Sequence, residues 1–240
     1  MATDSLDLAR YAPEAVPAAL AEWQRAHPPG TELTVHGEWH CRVEFDVVVT
    51  GAGLAVAERV TGLGRGHWLL RREPTLADLV APMLGVLIVG LNPSEVAAET
   101  GVPFGGATNR FWPAAVAAGL VAVDRDPWAA FTHDNVGFTD LVKRASARAD
   151  GLTKPEYAAG AERLRTIVGW LEPRVICFAG LTGYRTAVDP DAAEGLQPGS
   201  FAGAAAYVMP NPSGANAHAS KADLVEHFRT VRELAKPRRR

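Results

Sequence analysis

Three short apolar runs lie far apart in this chain, and longer segments with helical spacing lie around them. The apolar runs are VLIVG (86–90), RVICFAG (174–180) and AAAYVMP (204–210). The segments with helical spacing are TLADLVAPM (75–83), NRFWPAAVAAGL (109–120), KPEYAAGAERLRTIVGWL (154–171) and KADLVEHFRTVREL (221–234). Strands that alternate with helices are typical of a parallel sheet, because each parallel connection needs a crossover. The sequence therefore predicts an α/β fold, a three-layer sandwich with a central, mostly parallel sheet.

The first 74 residues follow a different pattern. APEAVPAALAEWQRA (12–26) has helical spacing and stops at HPPG, where consecutive prolines cannot continue a helix. The β-rich runs that follow are ELTVHG (32–37), RVEFDVVV (42–49), LAVAERV (54–60) and HWLLRRE (67–73). Glycines between these runs favour an antiparallel meander. We therefore expect residues 1–74 to form an accessory helix and meander, and residues 75–240 to form the main domain.

Composition limits the classes of protein to consider. The chain has 240 residues, 48% of them hydrophobic, which is enough for a full core, and its net charge of −3 gives no basic coat. Its apolar runs are shorter than the roughly 18 residues of a membrane helix, and the acidic, polar start is unlike a secretory peptide. The two cysteines, Cys41 and Cys177, are too few for a tetra-Cys metal site. We expect a cytoplasmic protein with free thiols, no metal, no cofactor and no membrane partner.

A glycine-rich segment near residue 51 resembles a dinucleotide-binding loop. VVVTGAGLAVAERV (47–60) has the first two glycines of G-x-G-x-x-G, but Val56 stands where the third glycine belongs. Further glycines interrupt the helix that such a loop requires. We therefore interpret this segment as a hairpin turn, with nucleotide binding as the weaker alternative.

Two Asn-Pro loops follow apolar runs. GLNPS (90–94) follows the first run and PNPSGANAH (210–218) follows the third. Because parallel strands end at one edge of a sheet, both loops should face the same crevice. The proline of each loop restricts the backbone and so aims Asn92 and Asn211. An asparagine orients water but is no strong base, so the bond it helps to break needs a leaving group that departs as an anion, and a nucleobase on deoxyribose meets this demand.

A longer set of motifs resembles a known family. GLNPSEVAAETGVPFGGATNRFW (90–112) and MPNPSGANAH (209–218), with GFTDLVKR (137–144) between them, resemble the signature loops of the mismatch-specific uracil/thymine DNA glycosylases of the uracil-DNA glycosylase superfamily. The resemblance runs from about Thr75 to Leu234. It implies a uracil-DNA glycosylase-like three-layer fold. The first 74 residues have no identified counterpart in it.

The resemblance also implies roles for individual residues. Asn92 would position the hydrolytic water below C1′ of the sugar, and Phe104 would stack on the extruded base, which restores part of the stacking lost from the duplex. The backbone of Leu91 and Phe104 and the side chain of Asn211 would contact the base. Ser213 and Gly214 would approach a phosphate, while the segment Ala215, Asn216 and Ala217 would enter the gap left by the base.

Two positions depart from the family pattern. Ser94 stands where a glycine is usual, which adds a hydroxyl near the pocket or a phosphate. Ala215 is small where many relatives insert a leucine, so the plug that holds the duplex open should be weaker, and Asn216 or His218 could compensate. Three roles are open for His218: a donor to a phosphate, a wedge in the duplex, or an exposed loop residue.

Asp140 and Asn109 each have two interpretations. Asp140 could polarise the water or stabilise positive charge on the sugar, but an aspartate before an apolar pair is often a helix N-cap. Asn109 precedes a predicted helix and is interpreted as a cap.

The motifs together indicate a monofunctional DNA glycosylase that hydrolyses the bond to uracil, and to thymine, hypoxanthine or other damaged bases, without a metal or a lyase lysine. Its partners would be uracil-containing or mismatched duplexes and single strands, with the protein a monomer. The alternative is a module that binds damaged DNA with little hydrolysis. The N-terminal arginines that could contact phosphates are Arg42, Arg59, Arg65, Arg71 and Arg72.

Overall fold

A computed structural model describes residues 4–62, 65–147 and 149–237. The strands are β1 (Asp4–Asp7), β2 (Glu32–Gly37), β3 (Leu54–Gly62), β4 (Arg65–Arg72), β5 (Val86–Gly90), β6 (Val136–Asp140), β7 (Val175–Ala179), β8 (Gly195–Phe201) and β9 (Ala204–Met209). The α-helices are α1 (Val16–Ala26), α2 (Phe45–Gly51), α3 (Glu95–Thr100), α4 (Phe111–Ala117), α5 (Pro127–His133), α6 (Lys154–Leu171), α7 (Leu181–Ala187) and α8 (Lys221–Leu234).

The central sheet has the strand order β6-β5-β7-β9-β8. The first four strands are parallel, and β8 pairs antiparallel with β9 at the edge. In the middle of the sheet, Val86 lies opposite Val136 on one side and Val175 on the other. This arrangement confirms the predicted α/β fold with a central, mostly parallel sheet.

Helices cover both faces of this sheet, and alternate residues of β5 face opposite layers. Leu87 and Val89 pack with the layer that contains α6, whereas Val86 and Ile88 pack with the layer that contains α4 and α8. A strand that is buried on both faces reads as a continuous apolar run, as β5 does. The parallel sheet therefore has a separate hydrophobic core on each side.

Two of the predicted helices have the expected bounds because both carry a capping box. Thr153 and Glu156 exchange hydrogen bonds at the start of α6, and Ser220 and Asp223 do so at the start of α8. These reciprocal bonds satisfy two of the free N–H groups of a first helical turn. Both helices begin directly after their capping residue.

The N-terminal region forms a second sheet, with the order β1-β2-β4-β3. β2, β4 and β3 pair antiparallel, but β1 lies parallel to β2. The predicted strand over residues 42–49 is wrong, because this segment contains α2. The buried side chains of α2 include Phe45, Val48 and Val49, whose spacing of three and one matches a helical face. Tertiary packing therefore outweighs the strand preference of valine.

The glycine-rich segment at residues 51–53 joins α2 to β3. A dinucleotide loop leads from a strand into a helix, and a hairpin turn joins two strands. Here a helix leads into a strand, with Gly53 in the left-handed region at φ +70°. Both interpretations made from the sequence are therefore wrong.

The predicted helix over residues 75–83 is also absent, since the structure assigns no helix to this described segment. Leu79 instead forms an antiparallel bridge with Phe138, in which each main-chain N–H donates to the other's carbonyl, at 2.8 and 3.0 Å. This bridge extends the central sheet past β6. Besides α2, the strands and α-helices of the described ranges that the sequence did not predict are β1, β6, β8, α3, α5 and α7.

The N-terminal region packs closely on the rest of the chain. Trp39 and Trp170 meet edge to face with ring centroids 6.2 Å apart, and Arg42 donates a hydrogen bond to the carbonyl oxygen of Gly169 at 2.7 Å. Apolar side chains of the second sheet belong to the same core cluster as those of α6. None of the helices in the described ranges is both long and apolar enough to span a membrane.

Candidate active site

The side chain of Asn92, in the turn after β5, is held by a neighbouring loop. Its Nδ2 donates hydrogen bonds to the carbonyl oxygen of Arg144 at 3.1 Å and to Oγ of Ser146 at 2.8 Å, and lies 3.1 Å from the carbonyl oxygen of Pro93. Because the donors of the amide are engaged, its plane is fixed and Oδ1 remains an acceptor. Asn92 is thus placed to accept a hydrogen bond from a water molecule.

The loop that holds Asn92 is the segment after β6, and its backbone continues the pairing of β5 with β6. The main-chain bonds are Leu141 N to Gly90 O at 2.9 Å, Val142 N to Leu91 O at 2.9 Å and Ser146 N to Pro93 O at 3.1 Å. The carbonyl oxygen of Leu91 is therefore engaged within the protein. The adjacency of β5 and β6 brings the motif around Asn92 and the motif around Asp140 together.

Phe104 lies half-buried beside this turn, with its backbone in the left-handed region at φ +55°. Its ring stacks on that of Phe111, with centroids 4.3 Å apart and planes inclined by 10°. A left-handed conformation is unfavourable by roughly 1 kcal/mol for a residue with a side chain, and such strain persists only where surrounding packing imposes it. The stacked ring and the strained backbone together hold Phe104 in one orientation.

Asp140 is the last residue of β6 and is 6% exposed. The capping interpretation is wrong, because the next α-helix begins at Lys154 and is capped by Thr153. Burial raises the pKa of Asp140 to about 6, and Asp78 nearby also raises it, against the opposing effect of Lys143 and Arg163. A carboxyl with such a pKa exchanges protons near neutral pH, which is typical of functional sites.

Gly90 is the partner of Asp140 in the sheet, and its lack of a side chain brings two groups of the site together. A Cβ at this position would lie 2.5 Å from Oδ1 of Asp140 and 3.4 Å from the ring of Phe104. The carboxylate therefore occupies the space that any larger residue would need. Gly90 sets the close approach of Asp140 and Phe104.

A buried cluster of charged side chains holds the end of β6 in place. Asp78, 2% exposed, accepts hydrogen bonds from Nζ of Lys143 at 2.9 Å and from Oγ1 of Thr139 at 2.7 Å, and pairs with Arg163 at 2.5 Å. Burial alone would raise the pKa of Asp78, but Arg163 and Lys143 outweigh this effect and lower it. Arg163 also donates to the carbonyl oxygen of Asp140 at 2.7 Å. The cluster thus anchors the backbone of Asp140.

The second Asn-Pro loop follows β9 at the same edge of the sheet. Asn211 lies against Gly180 and shares a small cleft with Leu91 and Gly90, so the structure brings the two loops together. Its Oδ1 accepts a hydrogen bond from the main-chain N–H of Ser213 at 2.9 Å. This bond leaves the amide nitrogen of Asn211 as the donor available to a ligand.

Arg110 organises the second loop from the segment before α4. Its Nη2 donates to the carbonyl oxygens of Ser213 at 2.8 Å and Asn216 at 2.7 Å, and its Nη1 donates to that of Ala219. Its own N–H donates to the carbonyl oxygen of Pro212 at 3.0 Å. One half-buried arginine therefore holds much of the loop that follows β9.

The other predicted DNA-contact residues have local roles or are exposed. Oγ of Ser94 accepts from the N–H of Ala97 at 3.1 Å and so caps α3. Gly214 packs on Thr108, where a Cβ would lie 2.6 Å from the carbonyl oxygen. The exposed residues of the loop include Ala215 and His218.

Asn216 and Asn109 both act on nearby backbone groups. Asn216 bonds within its own loop, from Nδ2 to the Asn211 carbonyl oxygen at 2.9 Å and from its Oδ1 to the N–H of His218 at 3.0 Å. Oδ1 of Asn109 accepts a hydrogen bond from the N–H of Phe111 at 2.9 Å, but the N-cap of α4 is Arg110, so Asn109 lies one residue before the predicted capping position.

Sequence reasoning missed Gly90, Asp78 and Arg110. Asp78 lies in the segment 75–83, which was predicted as a helix, and no role was predicted for it. The local signal for Arg110 was weak, because its partners are carbonyl groups more than 100 residues away. Gly90 was read only as the end of a strand. Each of the three acts through contacts that a single local window cannot show.

Comparison with known proteins identifies a family for this chain. The family model described as the uracil DNA glycosylase superfamily matches residues 77–236. Among solved structures, a solution NMR structure of a proposed uracil DNA glycosylase from Methanosarcina acetivorans is 20% identical, with a TM-score of 0.44, and the match covers 68% of this chain and 98% of that one. Because the family model spans well over half of the sequence, the chain belongs to the uracil DNA glycosylase superfamily.

Proposed function

We propose that this protein is a monofunctional DNA glycosylase of the mismatch-specific type, which flips uracil out of DNA and hydrolyses its N-glycosidic bond. Membership of the superfamily supports DNA glycosylase activity in general. Thymine, hypoxanthine and other damaged bases belong to the proposed substrate range. The product is an abasic site, the substrate of base excision repair.

The observation that carries this proposal is the fixed amide of Asn92. Its nitrogen is engaged by Arg144 and Ser146, so Oδ1 is left to accept a hydrogen bond from the attacking water. An amide cannot remove a proton fully, so it acts by orientation. Orientation of the water without removal of its proton suits a reaction in which the sugar–base bond breaks early and the base leaves as an anion.

In the proposed reaction, the oxygen of water forms a bond to C1′ while the bond from C1′ to the base nitrogen breaks. The electron pair of the broken bond leaves with the base. The proton lost by water passes to solvent or to the departing base, and the carboxylate of Asp140 stabilises positive charge on the sugar or polarises the water. A pKa of about 6 would leave Asp140 mostly ionised above neutral pH.

Base binding is assigned to Leu91, Phe104 and Asn211. The ring of Phe104, already supported on one face by Phe111, would offer its other face to the extruded base. Donors from the backbone and from Asn211 would stabilise negative charge on the leaving base. The nearby lysine, Lys143, is paired with Asp78, which supports hydrolysis by water rather than attack by an amine.

DNA binding is assigned to Ser94 and to the loop after β9. The residues proposed in that loop are Ser213, Gly214, Ala215, Asn216 and His218. Because Ala215 is small, we propose that insertion into the duplex is weak, and that uracil in single strands is accepted as well as uracil opposite guanine. We further propose a monomer that acts in the cytoplasm.

The test is single-turnover cleavage of a uracil:guanine duplex by Asn92→Ala. We expect a rate at least about a hundredfold below that of the wild type, with DNA affinity and melting temperature nearly unchanged. Asn135→Gly is a matched control, because Asn135 lies at the opposite end of β6 with a left-handed backbone that glycine also adopts. Full activity of Asn92→Ala would overturn the mechanism.

The alternative is a module that binds damaged DNA with little hydrolysis. It predicts tight binding of a uracil duplex by the wild type, with no abasic product after alkaline scission. A panel of duplexes and single strands that carry uracil, thymine mismatches or hypoxanthine separates the two functions and ranks the substrates.

A further inference from the structure

A cleft lies between the N-terminal region and the central sheet, beside Asp140. The cavity has a volume of about 80 Å³. One wall comes from α1 and the end of β4, and the other from residues 76–79, 99–103 and 138–140. The N-terminal region therefore contributes directly to a cavity that adjoins the candidate active site.

Arg72 lines this cleft and is 8% exposed. Its Nε is fully buried without a hydrogen-bond partner, and its side chain makes no hydrogen bond or ion pair with any residue in the described ranges. Its backbone is fixed by hydrogen bonds with Thr31 at 2.9 Å and Gly30 at 2.8 Å. The guanidinium is thus held in place with its donors unused.

This state of Arg72 differs from that of the other two arginines whose Nε is buried. Arg110 and Arg163 also have an unpartnered Nε, but their terminal nitrogens donate to carbonyl or carboxylate oxygens. A buried charge without a partner is costly, and burial accordingly lowers the pKa of Arg72. A buried, unpaired charge that destabilises the ligand-free protein is typical of a ligand-binding site.

The cleft contains further groups that suit a ligand with an anionic end. Arg25 lies at the mouth, its guanidinium carbon 4.8 Å from the centre of the Trp128 ring. The carboxyl groups that line the cleft are those of Glu99, which is exposed, and Asp140. The apolar part of the walls includes Phe138 and Trp128, which leaves Arg72 as the buried cation of the cleft.

We propose that this cleft is an oxyanion site in which the guanidinium of Arg72 binds a phosphate group, with Arg25 at its mouth. The fork of N–H donors on a guanidinium matches two phosphate oxygens at once. The phosphate belongs either to a free ion or mononucleotide or to a DNA strand. The site is independent of the hydrolysis proposed for Asn92.

The test measures the melting temperature and the binding isotherm of the full chain with inorganic phosphate, against sodium chloride of equal ionic strength. We expect a saturable rise in melting temperature for the wild type, since a ligand that binds only the folded state stabilises it. Arg72→Met should weaken phosphate binding at least about tenfold. Without phosphate, this variant should be as stable as the wild type or more stable, because it removes an unpaired buried charge.

Arg71→Met is the matched control, because Arg71 is the preceding residue of β4, is exposed and pairs with Glu73 at 3.5 Å. It should bind phosphate as the wild type does. If Arg72→Met does not fold, Thr100→Trp tests the same site from the exposed rim of the cleft, and it should also abolish the phosphate response. A wild type without a saturable response, or a folded Arg72→Met that responds equally, would overturn the proposal.

Three ligands identify the source of the phosphate: inorganic phosphate, deoxyuridine monophosphate and a duplex with an abasic site. If binding depends on Arg72 and is tightest for deoxyuridine monophosphate, the ligand is a free nucleotide. If binding depends on Arg72 and is tightest for the duplex, the ligand is a phosphate of a DNA strand. Asn92→Ala should retain the phosphate response in full. Failure of the phosphate site and failure of the proposed hydrolysis are therefore distinguishable.

Discussion

The guanidinium of Arg110 donates a hydrogen bond to the main-chain carbonyl oxygen of Asn216 at 2.7 Å. Arg110 lies just before α4, six residues after Phe104, whereas Asn216 lies in the loop after β9. A second bond at 2.8 Å, to the carbonyl oxygen of Ser213, fixes the same loop. The segment that presents the stacking ring is thereby tied to the segment proposed to enter the duplex.

We expect Arg110→Met to free this loop, because methionine supplies no donor for its carbonyl groups. Single-turnover cleavage of a uracil:guanine duplex should fall at least about tenfold, and cleavage of single-stranded uracil should fall less, since a single strand needs no wedge. The control is Arg229→Met, which removes an exposed pair with Glu226 on α8. Equal losses on both substrates would point to a general loss of folding instead.

The sequence predicted β5, β7 and β9 of the central sheet because these strands are continuous apolar runs. β6 was missed because Gly137, Thr139 and Asp140 interrupt its apolar pattern. Gly137 packs there against the carbonyl oxygen of Leu79, where a Cβ would lie 2.5 Å away. Residues that make close contacts at a functional site interrupt the continuous apolar run that would predict a buried strand.

Asp140 should make the stability of the protein depend on pH. Burial raises its pKa to about 6, so the folded state binds a proton more tightly than the unfolded state, whose carboxyl titrates near its ordinary value. This contribution favours folding at acidic pH, and it is lost as pH rises through about 6. Its full size is about 3 kcal/mol, at roughly 1.4 kcal/mol per pKa unit.

Asp140→Asn removes this effect, so it should be more stable than the wild type at pH 8 by up to about 3 kcal/mol, with a smaller difference at pH 4.5. Urea denaturation at both pH values measures it, and Asp124→Asn, at an exposed carboxylate, should show no such change. A slower cleavage rate in Asp140→Asn together with higher stability would indicate a catalytic carboxylate. A difference in stability that does not vary with pH would contradict the raised pKa.

Asp78 should make stability depend on pH in the opposite direction. Arg163 and Lys143 hold its pKa below the ordinary value despite burial, so its contribution is present above the unfolded pKa and is lost as pH falls through the folded pKa. Asp78→Asn leaves two cations without their partner and should cost about 3–5 kcal/mol in the free energy of unfolding. Asp46→Asn is the control, because its pair with Arg59 is exposed and should contribute less than about 1 kcal/mol. Similar losses of unfolding free energy in both variants would show that the buried cluster stabilises the fold no more than an exposed ion pair does.

The candidate site was predictable where its residues lie in contiguous motifs, as for Asn92, Phe104 and Asn211. The Asp78 cluster was not, because its members come from three separate segments that only the folded chain brings together. The same reason applies to the cleft at Arg72. An arginine at the end of a strand predicts a surface contact, and its burial depends on α1, which is about 50 residues away in the chain.

Removal of residues 1–71 should leave the candidate active site complete in sequence but less stable. Every residue assigned to hydrolysis or base binding follows this segment, so the shortened chain should cleave single-stranded uracil wherever it stays folded. Its folding should be impaired, because Trp170 loses its contact with Trp39 and the main-chain N–H of Asp78 loses the carbonyl oxygen of Gly51, now 2.8 Å away. We expect a lower melting temperature and binding of a dye for exposed apolar surface.

Removal of this region should change the salt dependence of duplex binding by less than about two units of slope, since each phosphate contact contributes about one unit. Arg42, Arg59 and Arg71 are engaged with protein partners and Arg72 is buried, while the side chain of Arg65 lies outside the described residues. Arg42→Ala in the full chain is the control, because it removes only the hydrogen bond from Arg42 to the carbonyl oxygen of Gly169. A shortened protein that is soluble and folded but inactive on single strands would show that the N-terminal region helps to build the active site, and that the proposed boundary at residue 74 is misplaced.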